Sequence, residues 1–248
     1  MKVLFPSTFL APYVEAYYIS SDLRQDSPGA HFPAISTSYI KFSSGSAVVS
    51  GQATKPTVAV VNLGNETGLG VKLRPGAFPA LFGLPAHELT DRVTPLEEIL
   101  GKTANDLNEQ ITGAPNSSAQ VGRFERTFVR FAQRHRENSH LIERQAATIL
   151  RQLSTMQVSN LAERLGYSSR HFQRKINDYV GLSPRLYKRI VRFEKALELI
   201  QRSARRGNMD WSALAVICGY TDQAHFIRDF RQFAGQTPVA YLVSLQGN

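Results

Sequence analysis

Two short sets of side chains in the C-terminal half are of the types that recognise a duplex. The first is Arg170, Gln173 and Arg174, with Asn177 a turn further on; the second is Gln223, Ala224, His225 and Arg228, with Ile227 and Arg231 beside them. Arginine and glutamine match the donor and acceptor patterns that guanine and adenine present in the major groove, and a small apolar side chain can meet a thymine methyl. The same residues are ordinary on a solvated surface, so their weight depends on what positions them.

Other chemistry has few residues to work with. Only His31 and His87 precede residue 120, 56 positions apart, and the chain has no His-x-His pair. Metal-dependent chemistry of the dioxygenase or isomerase kind needs clustered histidines and carboxylates, and no metal or cofactor is expected. There is no Gly-x-Ser-x-Gly elbow, phosphate-cradling loop or His-Glu-x-x-His pair. The single cysteine, Cys218, allows no intramolecular disulfide and no thiolate zinc site, which favours a reducing compartment. Placed after Ile217 and before Gly219, it reads as a small buried residue, although a reactive thiol is the alternative. Lys41 and Arg74, on expected strands, are weak candidates for an anionic effector.

The elements that carry the two polar sets repeat. Leu161-Ala162-x-x-x-Gly166-Tyr167 recurs as Leu214-Ala215-x-x-x-Gly219-Tyr220, 53 residues on, and Gly181-x-Ser183-Pro184 recurs as Gly235-x-Thr237-Pro238, 54 residues on. The second copy has one extra residue just after its first glycine. In each copy a helix bearing the Leu-Ala pair stops at a glycine free to turn left-handed. Ser168 or Thr221 offers a hydroxyl to cap a second helix, which buries Phe172, Ile176 and Tyr179, or Phe226, Phe230 and Phe233. Ser183-Pro184 and Thr237-Pro238 then start a third helix. At 100° per residue the two polar sets lie opposite the buried stripes. The helix joining the copies, roughly Pro184 to Arg202, turns Ile190, Phe193, Leu197 and Ile200 inward. Its 19 or so residues span ~28 Å, close to the ~34 Å of one duplex turn.

Charge follows the same division. Residues 1–122 hold 8 basic and 10 acidic side chains, net −2, whereas residues 123–248 hold 21 and 10, net +11. One domain is therefore suited to a polyanion and the other is not. The first 90 residues alternate turn signals with short apolar runs at Thr37 to Phe42, Ala47 to Val49, Thr57 to Leu63 and Gly70 to Leu73, which predicts a β-rich domain. Thr94, Pro95 and Glu97 predict a helix start, with Leu96, Ile99, Leu100, Leu107 and Ile111 on one stripe. Gly113 to Ser118 is the best linker by composition. Beyond it, Phe124, Phe128 and Phe131 mark a basic helix, and Ile142, Ala146, Ile149 and Leu153 mark another. The run from Val3 to Val14 is broken by Pro6 and Pro12 and reads as part of the fold rather than a secretion signal. No 18-residue apolar run suggests a membrane span, and a cytoplasmic protein is expected.

These residues carry a family resemblance. Residues 139–243, with the paired Leu-Ala-x3-Gly-Tyr motifs, the connector bearing Arg192 and Ala196, and the ending Phe230-x-x-Phe-x-Gly-x-Thr-Pro238-x-x-Tyr241, resemble the DNA-binding domain of the AraC/XylS family of bacterial transcription regulators. The likeness implies base contacts from Arg170, Gln173 and Arg174 and from Gln223, Ala224, His225 and Arg228. Ser169 accompanies them as a DNA contact, and Lys175, Arg185, Lys188 and Arg189 are the expected phosphate contacts. Gly70 to Gly76 and Gly83 to Glu97 resemble the N-terminal domain of one branch of the same family, which implies a regulatory domain and names no effector.

The expected architecture is α+β. Residues 1–120 form a β-rich regulatory or dimerisation domain with helices, for which a cupin-like barrel is one form. Residues 121–138 form a basic linking helix, and 139–248 an all-α domain of two helix-turn-helix units joined by a long helix. The expected partner is double-stranded DNA, and the expected activity is transcription regulation as an activator rather than enzyme catalysis. RNA polymerase, a small-molecule effector and a second copy of the chain are further candidate partners; a membrane is not. Two rival readings are a constitutive regulator whose first domain is a protein-interaction module, and a DNA-modifying enzyme using Cys218.

Overall fold

The computed structural model describes residues 2–20, 31–58, 68–136, 147–153, 156–203 and 209–246. The expected strand beyond residue 58, and the expected helix before residue 147 with Ile142 and Ala146, lie outside the described residues.

Period-two alternation builds the first domain. In β4 (Tyr39–Ser43) Ile40 and Phe42 are buried between half-exposed neighbours, and in β7 (Gly68–Leu73) Leu69, Val71 and Leu73 are buried, as one apolar face requires. With β1 (Lys2–Leu4), β2 (Val14–Ser20), β5 (Ser46–Ser50) and β8 (Val93–Pro95) they form a six-stranded sheet in the order β1-β2-β7-β4-β5-β8, every pair antiparallel. β3 (His31–Phe32) pairs separately with β6 (Thr57–Val58). The sheet is open: β1 and β8 are its edges, and no strand among the described residues joins them.

Helices α1 (Ala77–Phe82), α2 (Glu97–Leu100), α3 (Lys102–Thr112) and α4 (Ser117–Arg136) follow. The basic helix expected at 121–138 falls largely within α4. Its Phe124, Phe128 and Ala132 are buried in the first domain's core. The Phe124 ring meets Tyr17 edge-on at 5.6 Å and Phe42 at 6.0 Å, and stacks on Phe128 at 3.9 Å. Burying one such side chain stabilises by about 1.5–3 kcal/mol.

Two local expectations are corrected here. Thr94 and Pro95 do not open a helix: they lie in β8, where Thr94 pairs with Val49 and Pro95 with Val48. The Leu96 amide donates to the Ala47 carbonyl, so the ladder outweighs the capping pattern, and α2 starts at Glu97. Gly113 to Ser118 is no linker. Its first four residues are the turn between α3 and α4, which pack on each other, and Ser117 and Ser118 already belong to α4; Asn116 Oδ1 accepts from the Ala119 amide at 2.9 Å.

The second core begins with α5, described over residues 147–153, and gathers Ile149 and Leu153 with the side chains of the repeated unit. In the first copy, α6 (Val158–Arg164) and α7 (Ser169–Val180) lead into α8 (Pro184–Ser203); in the second, α9 (Trp211–Ile217) and α10 (Gln223–Ala234) lead into α11 (Pro238–Gln246). All six apolar residues expected inward on α7 and α10 are buried, as are Ile190, Phe193, Leu197 and Ile200 on α8. The 20 residues of α8 span ~30 Å. No helix among the described residues is long and apolar enough to cross a membrane.

Candidate nucleic-acid interface

Capping sets where α7 and α10 begin. Gly166 and Gly219 turn the chain at φ 72° and 80°. Ser168 Oγ then accepts from the His171 amide at 3.3 Å and opens α7. In the second copy the cap is not Thr221. The extra residue carries the cap one place on, where Asp222 accepts from the His225 amide at 2.7 Å. That bond first, and the Thr221 hydroxyl after it, hold the Asp222 carboxyl below its ordinary range. Ser183 and Thr237 cap the following helices, accepting from Leu186 at 3.3 Å and Ala240 at 3.1 Å.

The two polar sets reach solvent. Ser169, Arg170, Gln173 and Arg174 on α7 are exposed, with Lys175 and Asn177 half-exposed; Gln223, Ala224, Arg228 and Arg231 on α10 are exposed, with His225 and Ile227 half-exposed. Arg174 meets His171 Nδ1 at 3.3 Å. In the second copy, Gln223 accepts from Ser212 of α9 at 3.1 Å, and His225 stands between Thr221 at 3.2 Å and Asp229 at 3.8 Å. The α10 set is thus more tightly held by its own unit.

The connector's cations have internal partners that the sequence did not reveal. Arg189 donates to Asp229, 2 % exposed, at 2.7 Å and to Gln232 at 2.6 Å, and lies over the Phe233 ring at 5.0 Å. Lys188 donates to the Met156 carbonyl at 2.9 Å. Arg192 donates to the Gly219 carbonyl at 3.1 Å and covers the Tyr220 ring at 4.9 Å, and Lys195 donates to the Ile217 carbonyl at 2.6 Å. The last two close the C-terminal end of α9, where carbonyls lack partners and a cation is favoured. Of the four expected phosphate contacts, Arg185 is exposed and Lys175 half-exposed, whereas Lys188 and Arg189 brace the domain. Their basic spacing along one helix was visible; Asp229, 40 residues from Arg189, was not.

The first domain grips the far ends of α7 and α10. Thr90 Oγ1 donates to the Gly181 carbonyl at 2.6 Å, His87 meets Asp178 at 3.2 Å, and the Tyr179 ring seats on Gly76, where an added Cβ would come within 1.8 Å of it. The Ala34 amide donates to the Phe233 carbonyl of α10 at 2.8 Å. On α8, Glu194 accepts from the Ser36 amide at 3.0 Å and from its hydroxyl at 2.6 Å. Burial pushes the Glu194 carboxyl above its ordinary range, against those two bonds. Arg74, one of the two weak effector candidates, donates to the Ala11 carbonyl at 2.7 Å; Lys41, the other, lies half-buried on β4 and is likewise partnered. Cys218 is buried, and burial raises its thiol, only partly opposed by Lys195. The reactive thiolate is therefore disfavoured there.

A family model described as "Helix-turn-helix domain" matches residues 161–243, the whole of this double unit from α6 into α11. Residues 161–243 thus form an AraC-type helix-turn-helix domain. The chain that carries it is a DNA-binding transcription regulator. Another model, "Domain of unknown function (DUF6597)", matches residues 2–95. Among solved structures the chain is similar to ToxT from Vibrio cholerae at 12 % identity and TM-score 0.47, over 94 % of this chain and 97 % of that one. Another similar structure is unsaturated-fatty-acid-bound ToxT from the same organism, at 11 % identity and TM-score 0.46, over 94 % and 95 %. No curated protein matches.

Proposed function

We propose that the chain regulates transcription by reading two successive major grooves on one side of a duplex, with α7 in one and α10 in the next. Arg170, Gln173 and Arg174 read bases in the first groove, and Gln223, His225 and Arg228 in the second, with Ala224 in reach of a thymine methyl. Ser169, Lys175 and Arg185 hold phosphates and so fix the register. The observation that carries this reading is the pairing of two exposed, arginine-bearing helix faces with a connector of ~30 Å, near the ~34 Å between successive grooves. The first domain modulates binding, through a small-molecule effector or through pairing of two chains, because its bonds end on the same reading helices. Selection of duplexes from a random pool by the full chain tests it. The expected result is two preferred patches about one turn apart; a single patch, or no enrichment, would contradict it. Stabilisation of the chain by a metabolite in a thermal-shift screen would favour an effector over dimerisation alone.

A further inference from the structure

The first domain carries one strongly basic feature that the reading helices do not absorb. On α4, Arg126, Arg130 and Arg134 recur at i, i+4 and i+8 on the side away from the buried Phe124, Phe128 and Ala132. All three are exposed, and none enters an ion pair or hydrogen bond among the described residues. Like charges at this spacing destabilise a helix, and the acidic residue on the same stretch, Glu125, faces elsewhere, accepting from the Ser7 amide and the Tyr17 hydroxyl. An uncompensated cationic ridge thus stands on a domain that is otherwise net acidic.

Its position is fixed by one short helix. The Phe82 ring of α1 packs edge-on against Phe128 of α4 at 5.8 Å, and Gly76, which caps the start of α1, seats the Tyr179 ring of α7. Packed helices lie about 8–10 Å apart, so the axis of α4 lies within about 20 Å of that of α7, with the ridge on its outer side. We infer that Arg126, Arg130 and Arg134 bind the phosphate backbone of duplex DNA flanking the groove read by α7. This rests on the proposed function. From Arg126 to Arg134 the ridge spans ~12 Å, over which a duplex presents about seven phosphates, and the arginine fork suits phosphate oxygens. An anionic membrane fits less well, because the apolar side of α4 is buried in the core and has nothing to insert. A second copy of the same face would set arginines against arginines.

The test uses the full chain and an operator selected from a random pool, prepared as a trimmed duplex of about 20 bp, two turns, and embedded in one of about 40 bp. The wild-type protein is expected to bind the longer duplex more tightly and with a steeper salt dependence. The triple variant Arg126→Gln, Arg130→Gln, Arg134→Gln should lose both gains. Its slope of log affinity against log salt on the longer duplex should be shallower by about 2.7, or roughly 40-fold less affinity lost between about 50 and 200 mM salt. Gln is nearly as good a helix former as Arg, and the corresponding triple Lys variant should keep the slope. Equal slopes for wild type and Gln variant on the longer duplex would overturn the inference, as would an equal change on both duplexes. Arginine-dependent binding to phosphatidylserine vesicles with unchanged DNA slopes would overturn it too. Failure of the wild type to enrich any operator would overturn the functional reading itself, and this inference with it.

Discussion

In the first helix-turn-helix unit the reading helix α7 ends on the other domain: Gly181 accepts from Thr90, Asp178 meets His87, and Tyr179 seats on Gly76. In the second unit α10 ends mainly on the connector, through Arg189 and the buried Asp229, and takes one backbone bond from Ala34. The reading faces differ in the same sense. Arg170, Gln173 and Arg174 project from a polar surface, whereas Gln223 and His225 are tied to Ser212, Thr221 and Asp229 within their own unit. The comparison teaches that repeated local folding does not imply repeated support. α7 is held chiefly by the first domain and α10 by the connector, so a displacement of the first domain would bear first on α7.

The strongest way to break the comparison is to remove the brace of the second unit. Arg189→Ala leaves the Asp229 carboxylate buried without its partner and is expected to destabilise the C-terminal domain by about 3–5 kcal/mol, read as a lowered urea midpoint. Removing the Thr90 hydroxyl, which deprives only the Gly181 carbonyl, should cost about 1 kcal/mol. Equal losses would erase the distinction between the two supports.

Glycines sharpen it next. Gly76→Ala and Gly166→Ala each place a side chain at positive φ, which costs about 1–2 kcal/mol. Only at Gly76 does the new Cβ also meet the Tyr179 ring, whereas nothing lies within 4 Å at Gly166. Gly76→Ala should therefore lower the thermal midpoint further and expose the first domain's seam with α7 to hydrogen exchange. Equal midpoints would show that the Tyr179 contact is not a constraint.

A pH profile then separates the connector from both reading helices. Burial raises the folded-state pKa of Glu194 above its unfolded value. The protonated form is favoured by folding, so its stabilisation is full below the unfolded carboxylate range near ~4.3 and is lost as pH rises through the folded value. Glu194→Gln is expected to raise the thermal midpoint at neutral pH, with the gain over wild type vanishing as the medium is acidified. A constant difference across pH would contradict this.

The smallest effect tests the extra residue of the second unit. Asp222→Ala should lower the thermal midpoint by more than Thr221→Ala does, because Asp222 and not Thr221 caps α10. Reversed magnitudes would return the cap to Thr221.

Much of the second domain was legible because its determinants are local. The glycine stops, the Ser168, Ser183 and Thr237 caps and the inward Phe, Ile and Tyr residues each depend on neighbours within a turn or two. What failed depended on partners far along the chain. Thr94 carries a capping pattern but pairs with Val49 in a ladder. Gly113 to Ser118 has a linker's composition, yet α4 beyond it carries Phe124 to Tyr17, 107 positions away. The reading faces could be placed on their helices, but the partners of Lys188 and Arg189, and the bonds from Ala34, Ser36 and Thr90 to α10, α8 and the end of α7, follow only from tertiary packing.

The most direct measurement is base-resolved binding of the full chain and of its Arg174→Ala and Arg228→Ala variants to every single-base variant of a selected operator. Each variant is expected to relax discrimination within one patch only, by about 1–3 kcal/mol, with the two patches centred about one helical turn apart. Uniform loss of affinity by both variants across all operator positions would contradict a two-groove reading.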